Sequence, residues 1–306
     1  AFMLGMSNAI DAPVRQSFNV EVVGKDDLPN AVGLNSANFN TGRLIGPGLS
    51  GILISAYGTG VSFLLNGISY VIVIGALAAL REEELHIEKI ERASIKIREA
   101  FDYVKARPDI LAVMITVFFA TSFGLNFNIF NTMMATKVFG KGAAQYGALG
   151  SILAIGSLSG ALISARLERK RGPRFVMLGA MVFSSLLIAS SFAPNYTIYS
   201  IFLPLIGCVA LLTFIGANTM VQTRTDSAIR GRVMGIYLTV FLGGTPIVSP
   251  LIGWMTEQIG TRTTITICGS ISLLAAVITY SQFRDRSEAP ESFTIADVLE
   301  AAYENK

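Results

Sequence analysis

Apolar residues occur along this chain in long blocks that short polar segments separate. Eight blocks reach the length of about 20 residues that a helix needs to cross the hydrocarbon core of a bilayer. A shorter apolar block at 1–12 predicts the end of a further helix, because a signal peptide would begin with basic residues that this segment lacks. The predicted spans are 31–56, 60–80, 110–136, 145–165, 174–193, 196–220, 233–257 and 263–283.

Composition agrees with a chain that is embedded in lipid. Among its 306 residues 52% are hydrophobic and 15% are charged, whereas soluble domains carry about 25% charged residues. The formal net charge is only +3, so binding to nucleic acid is not indicated. We therefore expect an all-α integral membrane protein in contact with the lipid bilayer.

Catalytic and metal-binding chemistry is restricted by the residues that are scarce. The one histidine, His86, lies in a charged segment, which argues against a His-rich metal site or a Ser-His-Asp triad in the bilayer. The phosphate-binding loop Gly-x-x-x-x-Gly-Lys-Ser/Thr does not occur in the sequence, so ATP hydrolysis is not expected. We expect no cofactor, no metal and no enzymatic activity, and a membrane scaffold without transport activity stays open.

Lysine and arginine predict the orientation of the helices. Loops rich in these residues stay on the cytoplasmic side of a membrane, and here they alternate with loops that hold few basic residues. Every span fits this alternation, and the C-terminus is predicted to be cytoplasmic. The basic segments follow Ala12, Leu80, Ala165, Met220 and Gln282.

A long charged segment, 81–109, separates two groups of predicted helices. Within 94–105 apolar residues recur among charged ones, which is typical of a helix that lies at the membrane surface. A charged linker fits the same residues, so both interpretations stay open. The polar tail, 284–306, receives no predicted function.

An internal repeat relates the two groups of helices. A shift of 202 residues aligns five pairs of glycines without a gap, and parallel repeats of this kind relate the two halves of many transporters. Chance matches between apolar blocks are the alternative. The aligned pairs are Gly33 and Gly235, Phe39 and Phe241, Gly42 and Gly244, Ile45 and Ile247, Gly51 and Gly253, Gly58 and Gly260, and Gly67 and Gly269.

Glycines and a proline are concentrated at 42–51, within the first complete span. They would destabilise an isolated helix in water, but small residues let two membrane helices approach closely. We interpret this stretch as a kinked packing seam, although any close-packed helix pair can carry this spacing. The spacing resembles the antiporter signature in the fifth helix of major facilitator superfamily exporters. The signature positions are Gly42, Gly46, Pro47, Ser50 and Gly51.

Three further stretches resemble the branch of the major facilitator superfamily that contains the enterobactin exporter. They are Asp11-Ala12-Pro13-Val14-Arg15-Gln16, Arg98-Glu99-Ala100-Phe101-Asp102-Tyr103 followed by Pro108, and Arg230-Gly231-Arg232-Val233-Met234-Gly235.

That resemblance implies the major facilitator fold, with about nine of its twelve helices in this chain and the first three missing. The expected organisation is a remainder of the N-terminal bundle with helices four to six, a cytoplasmic link, a six-helix C-terminal bundle and a cytoplasmic tail. The respective ranges are 1–80, 81–109, 110–283 and 284–306.

Charged residues depart from the family pattern in two places. The loop after 165 is similar to the family's Gly-x-x-x-Asp-Arg-x-Gly-Arg loop, but Arg169 stands at the acid position if Gly172 is the second glycine. In the helix-four signature, Ala1 occupies the arginine position if Gly5 is its glycine. Asp11 is expected to pair with the arginine four residues on rather than to carry protons. The candidate gating charges are Asp11, Arg15, Arg169 and Arg232.

Neutral polar residues inside the spans are candidates for contact with a substrate. Positions 128, 131 and 132 share a helix face by their spacing, and helix seven lines the central cavity in the family that the chain resembles. Interhelical hydrogen bonds, worth about 0.6 kcal/mol each in a bilayer, are the alternative role. The candidates are Asn128, Asn131, Thr132 and Asn218.

The resemblance implies a monomeric secondary active transporter in the bacterial inner membrane. Its expected activity is export of a small amphipathic molecule, such as a drug or siderophore, by alternating access. An ion gradient, with protons as the expected ion, would supply the energy. An uptake permease of the same fold is the alternative.

Overall fold

The computed structural model describes residues 22, 38, 42, 45–46, 48–81, 97–166, 172–226 and 229–283. Regular structure in these ranges is entirely helical, and seven segments within them are long and apolar enough to cross a bilayer. The predicted all-α membrane protein is therefore confirmed. Contacts divide the chain into two compact units, Ala1–Ala93 and Ser94–Lys306.

The helices are numbered in chain order. They are α1 (Gly48–Ala78), α2 (Ile97–Ala106), α3 (Pro108–Phe119), α4 (Phe127–Met133), α5 (Ala143–Arg166), α6 (Pro173–Ser191), α7 (Tyr196–Arg224), α8 (Arg230–Gly243), α9 (Thr245–Gln258) and α10 (Thr261–Phe283), with π-helical turns at Ala120–Gly124 and Met134–Val138.

In the first unit, α1 differs from the prediction of two helices joined by a loop at 57–60. Helical backbone runs over all 31 residues of Gly48–Ala78, and the predicted loop is reduced to one residue, Gly58, with a φ of +79°. Glycine adopts this left-handed conformation at little steric cost because it has no Cβ. Most of the predicted span 31–56 lies outside the described residues.

In the second unit, all six predicted spans are present, with ends within four residues of those predicted. One of them, Pro108–Val138, is not a regular helix, and we call it the composite helix. It consists of α3, a π-helical turn, a break at Leu125 and Asn126, α4 and a second π-helical turn. The apolar block in the sequence predicts one straight span here, because apolar composition does not distinguish α-helical from π-helical turns.

The helix α2 lies in the segment for which a surface helix and a charged linker were both open. The residues 97–106 are helical, and Ala100, Tyr103 and Val104 are buried within the second unit. Phe101 stays 48% exposed. The helical interpretation is thus confirmed, with the apolar face of α2 divided between the protein and its surroundings.

Close packing of small residues joins α5 to α7. A Cβ added to Gly156 would overlap the carbonyl oxygen of Pro204, and one added to Gly160 would overlap that of Cys208. Both partners are four residues apart in the same order, so α5 and α7 run in the same direction with their backbones in contact. The two glycines have the spacing Gly-x-x-x-Gly that permits such an approach between membrane helices.

Other contacts fix the remaining helix directions. The composite helix is antiparallel to α7, since Asn131 contacts Tyr199 and Asp109 contacts Arg224. It is parallel to α8 and α9, and α6 is antiparallel to α10. One end of the second unit therefore collects many arginines, and we call it the basic end. Its arginines include Arg107, Arg166, Arg174, Arg224 and Arg230.

The repeat is visible in the backbone. Gly260, which the shift of 202 residues aligns with Gly58, has a φ of +86°, and Gly58 has +79°. A third left-handed glycine, Gly140, has no partner in the aligned set. The same unusual conformation at aligned positions supports duplication over a chance match between apolar blocks.

Candidate functional site

The composite helix is interrupted at Leu125 and Asn126, inside a membrane-spanning segment of the second unit. Leu125 and Asn126 have ψ angles of +20° and +41°, outside the helical range. Inside a membrane, backbone groups that lose their helical partners need other hydrogen-bond partners from the protein. The Asn126 side chain is such a partner, because its Nδ2 donates to the Ser122 carbonyl at 2.7 Å. Its Oδ1 accepts a hydrogen bond of 2.6 Å from Ser249 in α9. Asn126 therefore connects the break to a neighbouring helix.

The predicted polar face of the composite helix is divided by the structure. Asn131 is buried, and its Oδ1 accepts a 2.8 Å hydrogen bond from the hydroxyl of Tyr199 in α7. Asn128 is exposed, and Thr132, which is half-buried, donates to its carbonyl oxygen. Asn131 thus has the interhelical role that was the alternative, while Asn128 presents its side chain outward.

Asn218 lies at a different depth from Asn128. It accepts a 2.6 Å hydrogen bond from Gln222 on the same helix and is half-buried. Asn218 precedes the end of α7 at the basic end by 6 residues, whereas Asn128 follows the start of the composite helix by 20. At 1.5 Å per residue the two side chains differ in depth by roughly 20 Å. They cannot contact the same small group.

A buried ion cluster occupies the basic end. Asp109, with 0% of its side chain exposed, accepts from Nε and Nη2 of Arg107 at 3.0 and 2.9 Å. Arg224 at the end of α7 approaches the same carboxylate through Nη1 at 3.4 Å. The Tyr103 hydroxyl of α2 accepts from Nη1 of Arg107 at 3.1 Å and from the backbone N–H of Asp226 at 3.3 Å. Two stretches of chain, 103–109 and 224–226, meet in this cluster.

Electrostatics keeps Arg107 charged in this cluster. Burial alone would lower its pKa, but the hydrogen bonds and negative charge of Asp109 outweigh burial and raise the pKa above its ordinary value. A bidentate pair with a carboxylate is the strongest arrangement for a buried arginine. The sequence contained a signal for this pair, because an acid in the first turn after Pro108 is favoured by the helix dipole. The predicted link, 81–109, includes this acid.

The candidate gating charges are covered by the structure only in part. Asp11, Arg15 and Arg169 lie outside the described residues, so their roles stay predictions. Arg232 is described and half-buried near the start of α8. Its neighbour Arg230 donates to the carbonyl oxygen of Thr225 at 3.2 and 3.3 Å. In the described part of the chain, no three His, Cys, Asp or Glu side chains gather as a metal site.

Comparison with protein families identifies the fold. The model of the transmembrane secretion effector family, a branch of the major facilitator superfamily, matches residues 1–298. The chain belongs to this family. The match includes nearly the whole chain.

Curated relatives of this major facilitator chain are named as transporters. It is 22% identical over 281 residues to a staphyloferrin A transporter of Staphylococcus aureus, with 92% of this chain and 70% of that protein covered. It is 26% identical over 259 residues to an enterobactin exporter of Salmonella choleraesuis, with 84% and 61% covered. A Shigella flexneri enterobactin exporter is 23% identical, with 90% and 66% covered. The chain thus spans 61–70% of the length of these relatives.

The antiporter-type signature of this major facilitator chain is described at Gly42, Gly46, Ser50 and Gly51, and Pro47 lies outside the described residues. A Cβ built on Gly42 or Gly46 has no neighbouring atom within 4 Å in the described structure. The predicted seam therefore stays a prediction. At the aligned position in the second unit, a Cβ on Gly244 would overlap Ser122 of the composite helix.

Proposed function

We propose that this major facilitator protein is a secondary active transporter that exports a small amphipathic molecule of the siderophore class. The names of its relatives support this proposal, since one is a staphyloferrin A transporter and others are enterobactin exporters. A bacterial inner-membrane location and a monomeric state are part of the same proposal.

The observation that carries the proposal is the broken composite helix. Transporters bind substrates near interrupted helices because irregular backbone is tolerated in a membrane only where protein or water satisfies it. At the break, Ser249 of α9 donates a hydrogen bond to the Asn126 side chain. Asn128, two residues beyond, is exposed and carries both a donor and an acceptor for a ligand.

We propose that an ion gradient drives transport, with protons as the coupling ion. The sequence lacks the nucleotide phosphate-binding loop. No predicted span holds a carboxylate near its middle, and such a group is expensive in lipid. Asp11 and Arg15 are proposed to form a gating pair rather than a proton carrier.

Export by inverted membrane vesicles tests this proposal. Vesicles with the intact protein should accumulate radiolabelled enterobactin or staphyloferrin A when respiration acidifies their interior, and a protonophore should abolish accumulation. Asn128→Ala should raise KM more than it lowers kcat, since the residue is proposed to contact substrate. Accumulation only in right-side-out vesicles would indicate an uptake permease, and none in either orientation would contradict a transport role for these substrates.

A further inference from the structure

We propose that Arg224 is a positioning residue of the transport cycle. Its bond to Asp109 closes the basic end of the second unit, and its release lets α3 move about the break at Leu125 and Asn126. This inference rests on the proposed transport function for its purpose, but its geometry can be tested without transport.

Among the described residues, Arg224 and Tyr199 of α7 each make a polar contact with the composite helix, one near each end. At the basic end, Arg224 contacts Asp109, and near the opposite end, Tyr199 contacts Asn131. The tied positions on the composite helix are 22 residues apart, or roughly 33 Å at 1.5 Å per residue. The two helices are therefore held together at both ends of one membrane crossing.

The two contacts differ in how easily they break. The Tyr199 contact is buried, uncharged and 2.8 Å long, so its loss would leave two polar groups without partners in an apolar interior. The Arg224 contact is 3.4 Å long, and 27% of the Arg224 side chain is exposed. Water can therefore solvate Arg224 after separation. The other bond at this end, from the backbone N–H of Asp226 to the Tyr103 hydroxyl, is 3.3 Å long and only part-buried, so the basic end opens at lower cost.

Asp109 does not lose its neutralising charge when Arg224 leaves. Arg107 holds both carboxylate oxygens at 2.9 and 3.0 Å, and both groups belong to the same short segment of chain. Tyr103 supports this pair from α2 by accepting from Arg107. Separation of α7 thus avoids the large penalty of an unpaired buried carboxylate. The pair moves as one body with α3.

The break lies between the two contacts and divides the composite helix into two segments. Leu125 and Asn126 separate α3, which carries Asp109, from α4, which carries Asn131. Hinges in proteins are a few residues at the ends of elements that absorb changes in φ and ψ. Ser249 fixes the position of the break through Asn126. Movement of α3 with α4 stationary is the motion that this arrangement favours.

Cysteine alkylation tests the inference in the intact protein. Cys208 and Cys268 are first replaced by alanine, and single cysteines are placed at Ala112, one turn from Asp109, or at Ala135, one turn from Asn131; both positions are fully buried. Arg224→Gln should increase the rate of N-ethylmaleimide reaction at position 112 by about fivefold, as expected for loss of a part-exposed ion pair. The rate at position 135 should not change.

Two matched variants serve as controls. Arg224→Lys keeps the charge and should stay within about twofold of the parent. Arg166→Gln removes an exposed arginine from the same basic end and should have no effect on either probe. In transport assays, Arg224→Gln should lower kcat with KM unchanged or reduced. The reason is that the state with a closed basic end forms less readily without the bond to Asp109.

Each outcome decides the inference. Equal rates at position 112 in the parent and in Arg224→Gln would overturn it, and so would a rise at both 112 and 135, which would indicate general loosening. Absence of transport in the parent would contradict the proposed function alone, because the alkylation rates would still report whether Arg224 closes the basic end.

Discussion

The hydroxyl group of Ser249 in α9 donates a hydrogen bond of 2.6 Å to Oδ1 of Asn126 at the break in the composite helix. The repeat aligns Ser249 with Pro47 of the antiporter-type signature. The two halves thus differ at this position, with a proline in one copy and a hydrogen-bonding side chain in the other. Ser249 is consequently the residue through which α9 acts on the break.

Removal of the Ser249 hydroxyl should weaken the contact between α9 and the break without unfolding the protein. Ser249→Ala is expected to cost about 0.6 kcal/mol, the mean value for interhelical hydrogen bonds in a bilayer, and to change kcat for transport. Thermal unfolding in detergent and transport kinetics measure the two effects. Ser159→Ala, which removes an exposed hydroxyl bonded within its own helix, is the control, and equal kinetics in both variants would contradict the role of Ser249.

A methyl group at the seam between α5 and α7 should destabilise the fold. Gly156→Ala places a Cβ on the carbonyl oxygen of Pro204, and overpacking of this kind costs about 1–3 kcal/mol. At Gly235 a Cβ meets no described atom within 4 Å, so Gly235→Ala should be neutral or gain up to about 1 kcal/mol of helix propensity. Thermal unfolding of the two variants measures the contrast, and similar stabilities would refute the backbone contact.

Neutralising Asp109 should be strongly destabilising. Asp109→Asn leaves Arg107 buried without its counter-charge, and breaking a buried pair costs about 3–5 kcal/mol. Asp102→Asn is the matched control, because Asp102 is 48% exposed and 4.0 Å from Arg98. That pair contributes less than about 1 kcal/mol. Chemical or thermal unfolding compares the variants. Equal losses of unfolding free energy in the two variants would contradict the buried ion cluster.

If 42–51 is a packing seam, a large side chain there should abolish transport without affecting folding. Gly46→Leu should insert and accumulate normally, because the described structure has open space around Gly46, and should abolish transport by preventing close helix approach. Gly75→Leu is the control, since Gly75 also has open space around it. Membrane levels and export rates are measured together, and a normal export rate in Gly46→Leu would exclude the seam.

The predicted orientation follows from the basic loops. A cysteine at Thr197, which is exposed at the end of the second unit opposite the basic end, should react with a membrane-impermeant maleimide added outside the cell, and one at Lys170 should not. The background lacks Cys208 and Cys268, which are free thiols. Labelling after cell lysis confirms that the protected site is reactive, and the reverse pattern would require the opposite topology.

The sequence was sufficient to predict the helical fold because each span is a long apolar block. Burial in lipid selects that pattern irrespective of which helices are neighbours. The break in the composite helix was not predicted, since Leu125 and Asn126 differ from a regular helix by backbone angles rather than by composition. Asn131 was ambiguous for a related reason. A polar residue in a span has the same spacing whether it contacts a substrate or, as here, Tyr199.

The ion cluster required tertiary structure. Asp109 and Arg224 are 115 residues apart, and neither is unusual at the end of a membrane span. Only the antiparallel arrangement of the composite helix and α7 brings them together. The seam at Gly156 was missed because the proline-containing stretch at 42–51 carried the stronger sequence signal.

Backbone contact between α5 and α7 has a mechanical consequence. The two helices touch through small residues, with Gly156 against Pro204 and Gly160 against Cys208. They cannot slide past each other without bringing larger side chains into the contact. We therefore expect α5 and α7 to move together as one rigid pair. A tilt of α7 should therefore be shared by α5, since the two backbones are in contact.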